Sequence, residues 1–140
     1  MRKGDVVREL LLEINETASE LHSANLKEIA RPLEDAVKDM QAATEWLIEK
    51  GGASTDDGLA GATPYLRMFG TTVGGWLLAK SALQAKKQID EGNDSEFLQA
   101  KIETAIFYAE QLLPQVSGLL PATVSGAESL YAIKPERLRG

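Results

Sequence analysis

Arg67, His22 and the pair Glu103 and Glu110 are the side chains whose type and spacing could support chemistry in this sequence. Arg67 is the only charge between Tyr65 and Ala79. A guanidinium in so apolar a run needs a carboxylate or water, and a phosphate or carboxylate on a ligand or partner would serve it too. An ion pair with an acid of a neighbouring helix is the expectation. Glu103 and Glu110 stand seven apart in a helical pattern, so both fall on one face. Paired carboxylates can do acid–base work, but beside an apolar stripe the same spacing describes a solvated helix edge, which is the reading adopted. His22 is the only histidine, and Ser19 stands three positions before it. The Glu-x-x-His pattern of di-metal helical bundles is therefore absent, and His22 is read as a partly exposed partner of a helix end. The chain has no cysteine, which excludes disulfides, thiolate metal sites and cysteine nucleophiles. It carries no Gly-x-Ser-x-Gly elbow, no Gly-x-Gly-x-x-Gly run and no P-loop pattern. No catalytic, cofactor-binding or metal-binding residue is expected.

The elements that would position these residues are helical almost throughout. Val7, Leu11, Ile14, Ala18 and Leu21 step by three or four, which predicts a first helix from about Asp5 to Ser23. Leu26, Ile29, Leu33, Ala36, Met40, Ala43 and Leu47 predict a second, ending at Lys50 and beginning or bending near Pro32. Gly51 and Gly52 should stop it, leaving a loop over 51–57. A third helix is expected from about Asp57 to Glu91, with a kink at Pro64. A second loop spans 91–95, and Ser95 is placed to cap a fourth helix. That helix shows Leu98, Ile102, Ala105, Ala109, Leu112, Val116 and Leu119 on one stripe, with Pro114, Gly118 and Pro121 irregularising its end. A short helical piece from Ala122 to Ala132 closes the chain. No stretch alternates with period two long enough for a strand. The fold class is all-α: one domain over 1–140, an antiparallel four-helix bundle with a short C-terminal helical extension.

The third helix is unusual. Leu59, Leu66, Phe69, Val73, Trp76 and Leu83 form one apolar stripe, and Gly61, Tyr65, Met68, Thr72, Gly75, Ala82 and Ile89 form another. A helix apolar on most sides is expected to be covered on most sides. Gly70, Gly74 and Gly75 each cost about 1 kcal/mol against alanine, and Gly70 and Gly74 have small-xxx-small spacing. Each is expected to be buried against a neighbouring backbone, within the bundle or at a partner surface. Arg67, Phe69, Gly70, Gly74, Gly75 and Trp76 are thus the candidate seam or interface. Phe69 and Trp76 are read as core residues, and Trp46 as a residue of the bundle edge or an interface.

The bulk composition agrees with this reading. The net charge of -6 argues against general nucleic-acid affinity, and the basic residues near both ends (Arg2, Lys3, Arg8; Lys134, Arg137, Arg139) read as solvated. The uncharged run from Met68 to Ala79 is well short of the roughly 20 residues of a membrane span. No signal peptide is visible, and a cytoplasmic location is the expectation.

These residues resemble a known module. Tyr65-Leu66-Arg67-Met68-Phe69-Gly70 and Gly74-Gly75-Trp76-Leu77-Leu78-Ala79-Lys80-Ser81-Ala82 are similar to the signature of the extra C-terminal domain of long bacterial acyl-CoA dehydrogenases. So are Phe107-Tyr108-Ala109-Glu110-Gln111-Leu112-Leu113-Pro114 and Gly126-Ala127-Glu128-Ser129-Leu130. The subgroup is the one that includes the 3-methylmercaptopropionyl-CoA dehydrogenases. The resemblance covers nearly the whole chain. It implies a parent that binds FAD and oxidises acyl-CoA thioesters to 2,3-enoyl-CoA, a glutamate removing the α-proton and the flavin taking the β-hydride. It also implies that flavin pocket and catalytic glutamate belong to a core preceding this module, so that no catalytic or flavin-binding residue falls in this chain. On this reading the chain is a non-catalytic helical domain supporting enzyme stability, subunit contacts or the acyl-CoA entrance. Its partners would be the dehydrogenase core of the same polypeptide and, in a homo-oligomer, further copies. The chain would be either part of a longer enzyme or a truncated gene product. A free-standing adaptor binding partner proteins through the Gly-rich seam is the alternative. Chain-borne catalysis using Arg67 with Glu103 and Glu110 is a third reading.

Overall fold

The computed structural model describes residues 2–53 and 55–125, with side chains described over 4–50 and 61–125. Five helices follow in order: α1 (Arg2–Ser23), α2 (Lys27–Ala53), α3 (Thr55–Asp90), α4 (Glu96–Gln111) and α5 (Pro114–Val124). Among the described residues there is no strand.

Each helix end has a local cause. α1 stops because Asn25 takes a left-handed conformation (φ 62°). The Leu26 N–H then reaches back to the Leu21 carbonyl at 2.8 Å and the Asn25 N–H to that of His22 at 3.2 Å, which satisfies two carbonyls of the last turn. Gly92 (φ 98°) does the same after α3, with Asn93 bonding Gln88 at 2.9 Å and Gly92 bonding Ile89 at 3.0 Å. The expected loop at 91–95 is there, and the Ser95 side chain accepts from the Leu98 N–H at 3.3 Å as the cap of α4.

Three boundaries differ from expectation. α2 starts at Lys27 and runs through Pro32, which costs it the donor to Glu28's carbonyl and crowds that carbonyl with its ring. The helix also continues through Gly51 and Gly52 to Ala53, and α3 starts at Thr55, so most of the expected 51–57 loop is helical. Glycine weakens a helix without forbidding it. The fourth helix does not run on to Leu119. It ends at Gln111, and Pro114, which can neither donate to residue 110 nor fit its ring beside that carbonyl, opens α5 instead. The closing piece expected at 122–132 falls mostly outside the described residues, its described part being the end of α5.

Side-chain pairs give the directions of the helices. Arg8 meets Glu45 and His22 meets Glu34, so α1 and α2 are antiparallel. Thr44 bonds Tyr65 at 2.7 Å and Leu47 lies beside Gly61, so α2 and α3 are too. Tyr108 bonds the Thr71 carbonyl, and Thr123 lies by Met68. α4 therefore runs back along the later part of α3, and α5 continues along its earlier part. Together they form the fourth column of an antiparallel four-helix bundle, broken at Leu112 and Leu113. Ile14, Leu21, Ile29, Leu33, Val37, Met40, Met68, Leu113 and Val116 are fully buried between the columns. Burying each such side chain contributes about 1.5–3 kcal/mol before entropy is counted.

Candidate functional site

α3 packs its Met68, Thr72, Gly75, Ala79, Ala82 side onto the other columns. The six candidate residues fall on different sides of this helix, and the structure separates their roles.

Trp76 and Phe69 are half-buried and pack on the core. The Trp76 indole N–H donates to the Thr17 hydroxyl at 2.9 Å, which ties α3 to α1, and the Lys80 ammonium lies 4.8 Å from the ring centroid. Trp46 is half-buried on α2.

The glycines do not face a neighbouring backbone, which corrects the expectation. A Cβ on Gly75 would lie 2.8 Å from a Leu113 methyl, and one on Gly74 would lie 2.6 Å from the Tyr108 hydroxyl. Both make room for side chains. Gly70 is exposed and a Cβ there would meet nothing within 4 Å. The close backbone approach sits at Gly61, whose Cβ would run into the carbonyl oxygen of Thr123. Gly61 stands four helical turns before Gly75 on the same stripe; that spacing was the available signal.

Gly70→Ala is accordingly expected to stabilise the chain by about 1 kcal/mol. Gly74→Leu should lower stability, since overpacking costs about 1–3 kcal/mol and outweighs the gain in propensity. The urea midpoints of the two variants should move in opposite directions.

The Tyr108 hydroxyl donates to the Thr71 carbonyl at 2.7 Å, and burial raises its pKa above the ordinary 10.0. The folded state thus holds this proton more tightly than the unfolded chain. The resulting stability is present below about pH 10 and lost as pH rises through the folded-state value. Tyr108→Phe should cost about 1 kcal/mol at neutral pH and remove that alkaline component. Urea titrations at about pH 7 and about pH 10.5, below and above the ordinary tyrosine value of about 10, check both.

Arg67 is exposed and has no ion-pair partner among the described residues, contrary to expectation. It lines a groove between α3 and α5 with Gly70, Thr71, Gln115, Gly118 and Leu119. Glu103 and Glu110 are both exposed on α4 and neither lines that groove, so the three are not assembled into one site. His22 meets a Glu34 oxygen at 2.7 Å on the surface. Among the described residues no cluster of His, Asp or Glu could hold a metal ion.

Among the described residues, the groove between α1 and α3 does not fit a flavin. This groove is a surface trough whose charged lining is Glu20, Lys80, Lys86, Lys87, Asp90 and Glu91. It has no aromatic wall against which an isoalloxazine could lie. Among the described residues no helix is long and apolar enough to cross a membrane.

The chain belongs to the family described as acetyl-CoA dehydrogenase C-terminal like, which it matches over residues 10–134. Over 116 residues it is 35% identical to 3-methylmercaptopropionyl-CoA dehydrogenase from Ruegeria pomeroyi, a match covering 81% of this chain and 20% of that enzyme. The chain thus spans about a fifth of the length of the curated relative it matches.

Proposed function

We propose that this chain is a non-catalytic helical domain of an FAD-dependent, cytoplasmic acyl-CoA dehydrogenase, docked on the dehydrogenase core and stabilising it. Contacts between subunits or at the acyl-CoA entrance would follow from that position. The observation that carries the reading is the extent of the match: 81% of the chain aligns with 20% of a dehydrogenase, and the family model matches residues 10–134. The separation of Arg67 from Glu103 and Glu110 supports a structural role over chain-borne catalysis.

The purified chain is expected to be colourless and to leave acyl-CoAs of short and long chain unoxidised with an artificial electron acceptor. A bound flavin band, or turnover that survives repurification and tracks with the protein, would overturn the assignment.

A further inference from the structure

The outer face of α3 is apolar and uncovered. Leu66, Gly70, Val73 and Leu77 step by four, three and four, so they share one side of the helix, opposite the Met68–Gly75–Ala79 side that meets the core. Leu66 is 68% exposed and Leu77 56% exposed. A helix apolar on two opposite sides has two surfaces to bury, and the described columns bury one. Val73 between Leu66 and Leu77 is half-buried, and exposed apolar side chains rimming a groove are what an interaction site offers.

A second observation comes from the glycines. Gly61, Gly74 and Gly75 each have a neighbour that a Cβ would strike, whereas Gly70 and Gly118 have nothing within 4 Å. These two open helical glycines border the same groove, together with Arg67 and Leu119. Each gives up about 1 kcal/mol of helix propensity with nothing among the described residues that requires it. They leave the trough unfilled beside Leu66 and Leu77. Arg67 stands at its edge without an ionic partner among the described residues.

We propose that this face, Leu66–Gly70–Val73–Leu77 with the adjoining Gly118 groove, is the surface by which the domain docks on the dehydrogenase core. The segment of the core seated there brings apolar side chains to the trough and a carboxylate to Arg67. The proposal rests on the docked-domain reading above. The core is the occupant because four-fifths of the matched relative lies outside the segment this chain aligns with. That polypeptide is held next to the domain at high effective concentration. Domain interfaces within one chain bury about 600–1,500 Å², more than two leucines alone provide, so the groove and Arg67 belong to the same contact.

The chain lacks cysteine, so single thiols report accessibility without background. Leu66→Cys, Leu77→Cys and, as a control on the exposed side of α1, Leu12→Cys would be made in two settings. One is this chain alone; the other is a full-length chimera in which it replaces the matching segment of the Ruegeria enzyme. Iodoacetamide alkylation of each position is followed by peptide mass spectrometry. Thiols at 66 and 77 should react about tenfold or more slowly in the chimera than in the chain alone, with position 12 unchanged. Slowing at position 12 but not at 66 and 77 would overturn the assigned face while leaving a docked domain intact. Equal rates at all three positions in both settings would overturn the face and the docked-domain reading together. Rates at 66 and 77 that fall with concentration in the chain alone would make a second copy the occupant and overturn the proposal.

Discussion

Leu113→Ala is expected to destabilise the chain by about 2–5 kcal/mol, a large share of the roughly 5–15 kcal/mol available to a domain of this size. Leu113 is fully buried at the break in the fourth column, and its methyls fill the space a side chain on Gly75 would take. Gly75→Leu alone should cost about 1–3 kcal/mol by overpacking the same point. Combining the two exchanges the large and small partners across the contact. The double variant should therefore lose about 0.5–3 kcal/mol less than the sum of the single losses. Urea midpoints of the four proteins measure this directly. Strictly additive losses would show that Gly75 does not exist to admit Leu113.

Gly61→Leu should cost about 3 kcal/mol, the upper end of overpacking penalties. Any Cβ at Gly61 runs into the Thr123 carbonyl oxygen, a backbone atom that cannot swing aside as a side chain can. Thr123 is itself fully buried, with its hydroxyl 3.0 Å from the Leu119 carbonyl and 3.3 Å from the Met68 sulfur. α5 as a whole must move to make room. Loss of α5 helicity in far-UV circular dichroism should accompany the lower midpoint. A neutral or stabilised variant would mean that α5 does not lie on α3 as closely as described.

The helices were readable from apolar spacing because burial repeats with the helical period, and α1 matches its stripe from Leu11 to Leu21. Ser95 was readable because capping depends on a short-range bond. Pro114 was harder to interpret. Its missing N–H disrupts a helix but also suits the first turn of a new one, and only packing on α3 decides for α5. Gly51 and Gly52 show the reverse error, since their helix-breaking tendency is small enough for the surrounding chain to override. The candidate site was legible only as a region. Glycine spacing identifies where a helix is narrow, but the neighbour that fills the narrowing belongs to a distant part of the chain. For Gly75 it is Leu113, for Gly74 Tyr108, and for Gly70 nothing described. For Arg67 the expected acid is not among the described residues, because spacing along one helix carries no information on where a carboxylate from elsewhere in the chain will stand.

The break at Leu112 and Leu113 divides the fourth column into two unequal pieces. α5 has only 11 residues, below the roughly 12–15 at which an isolated helix begins to hold its shape in water. It has no side-chain cap at its start, and it owes its structure to α2 and α3. The 16-residue α4, capped by Ser95, can remain docked when α5 lets go. Backbone amides of α5 should therefore exchange with solvent in a separate, lower-energy opening than those of α1 or α2. Such an opening would uncover Gly61 and Met68 while the Tyr108–Thr71 bond stays closed, making the two ends of α3 independent in their dynamics.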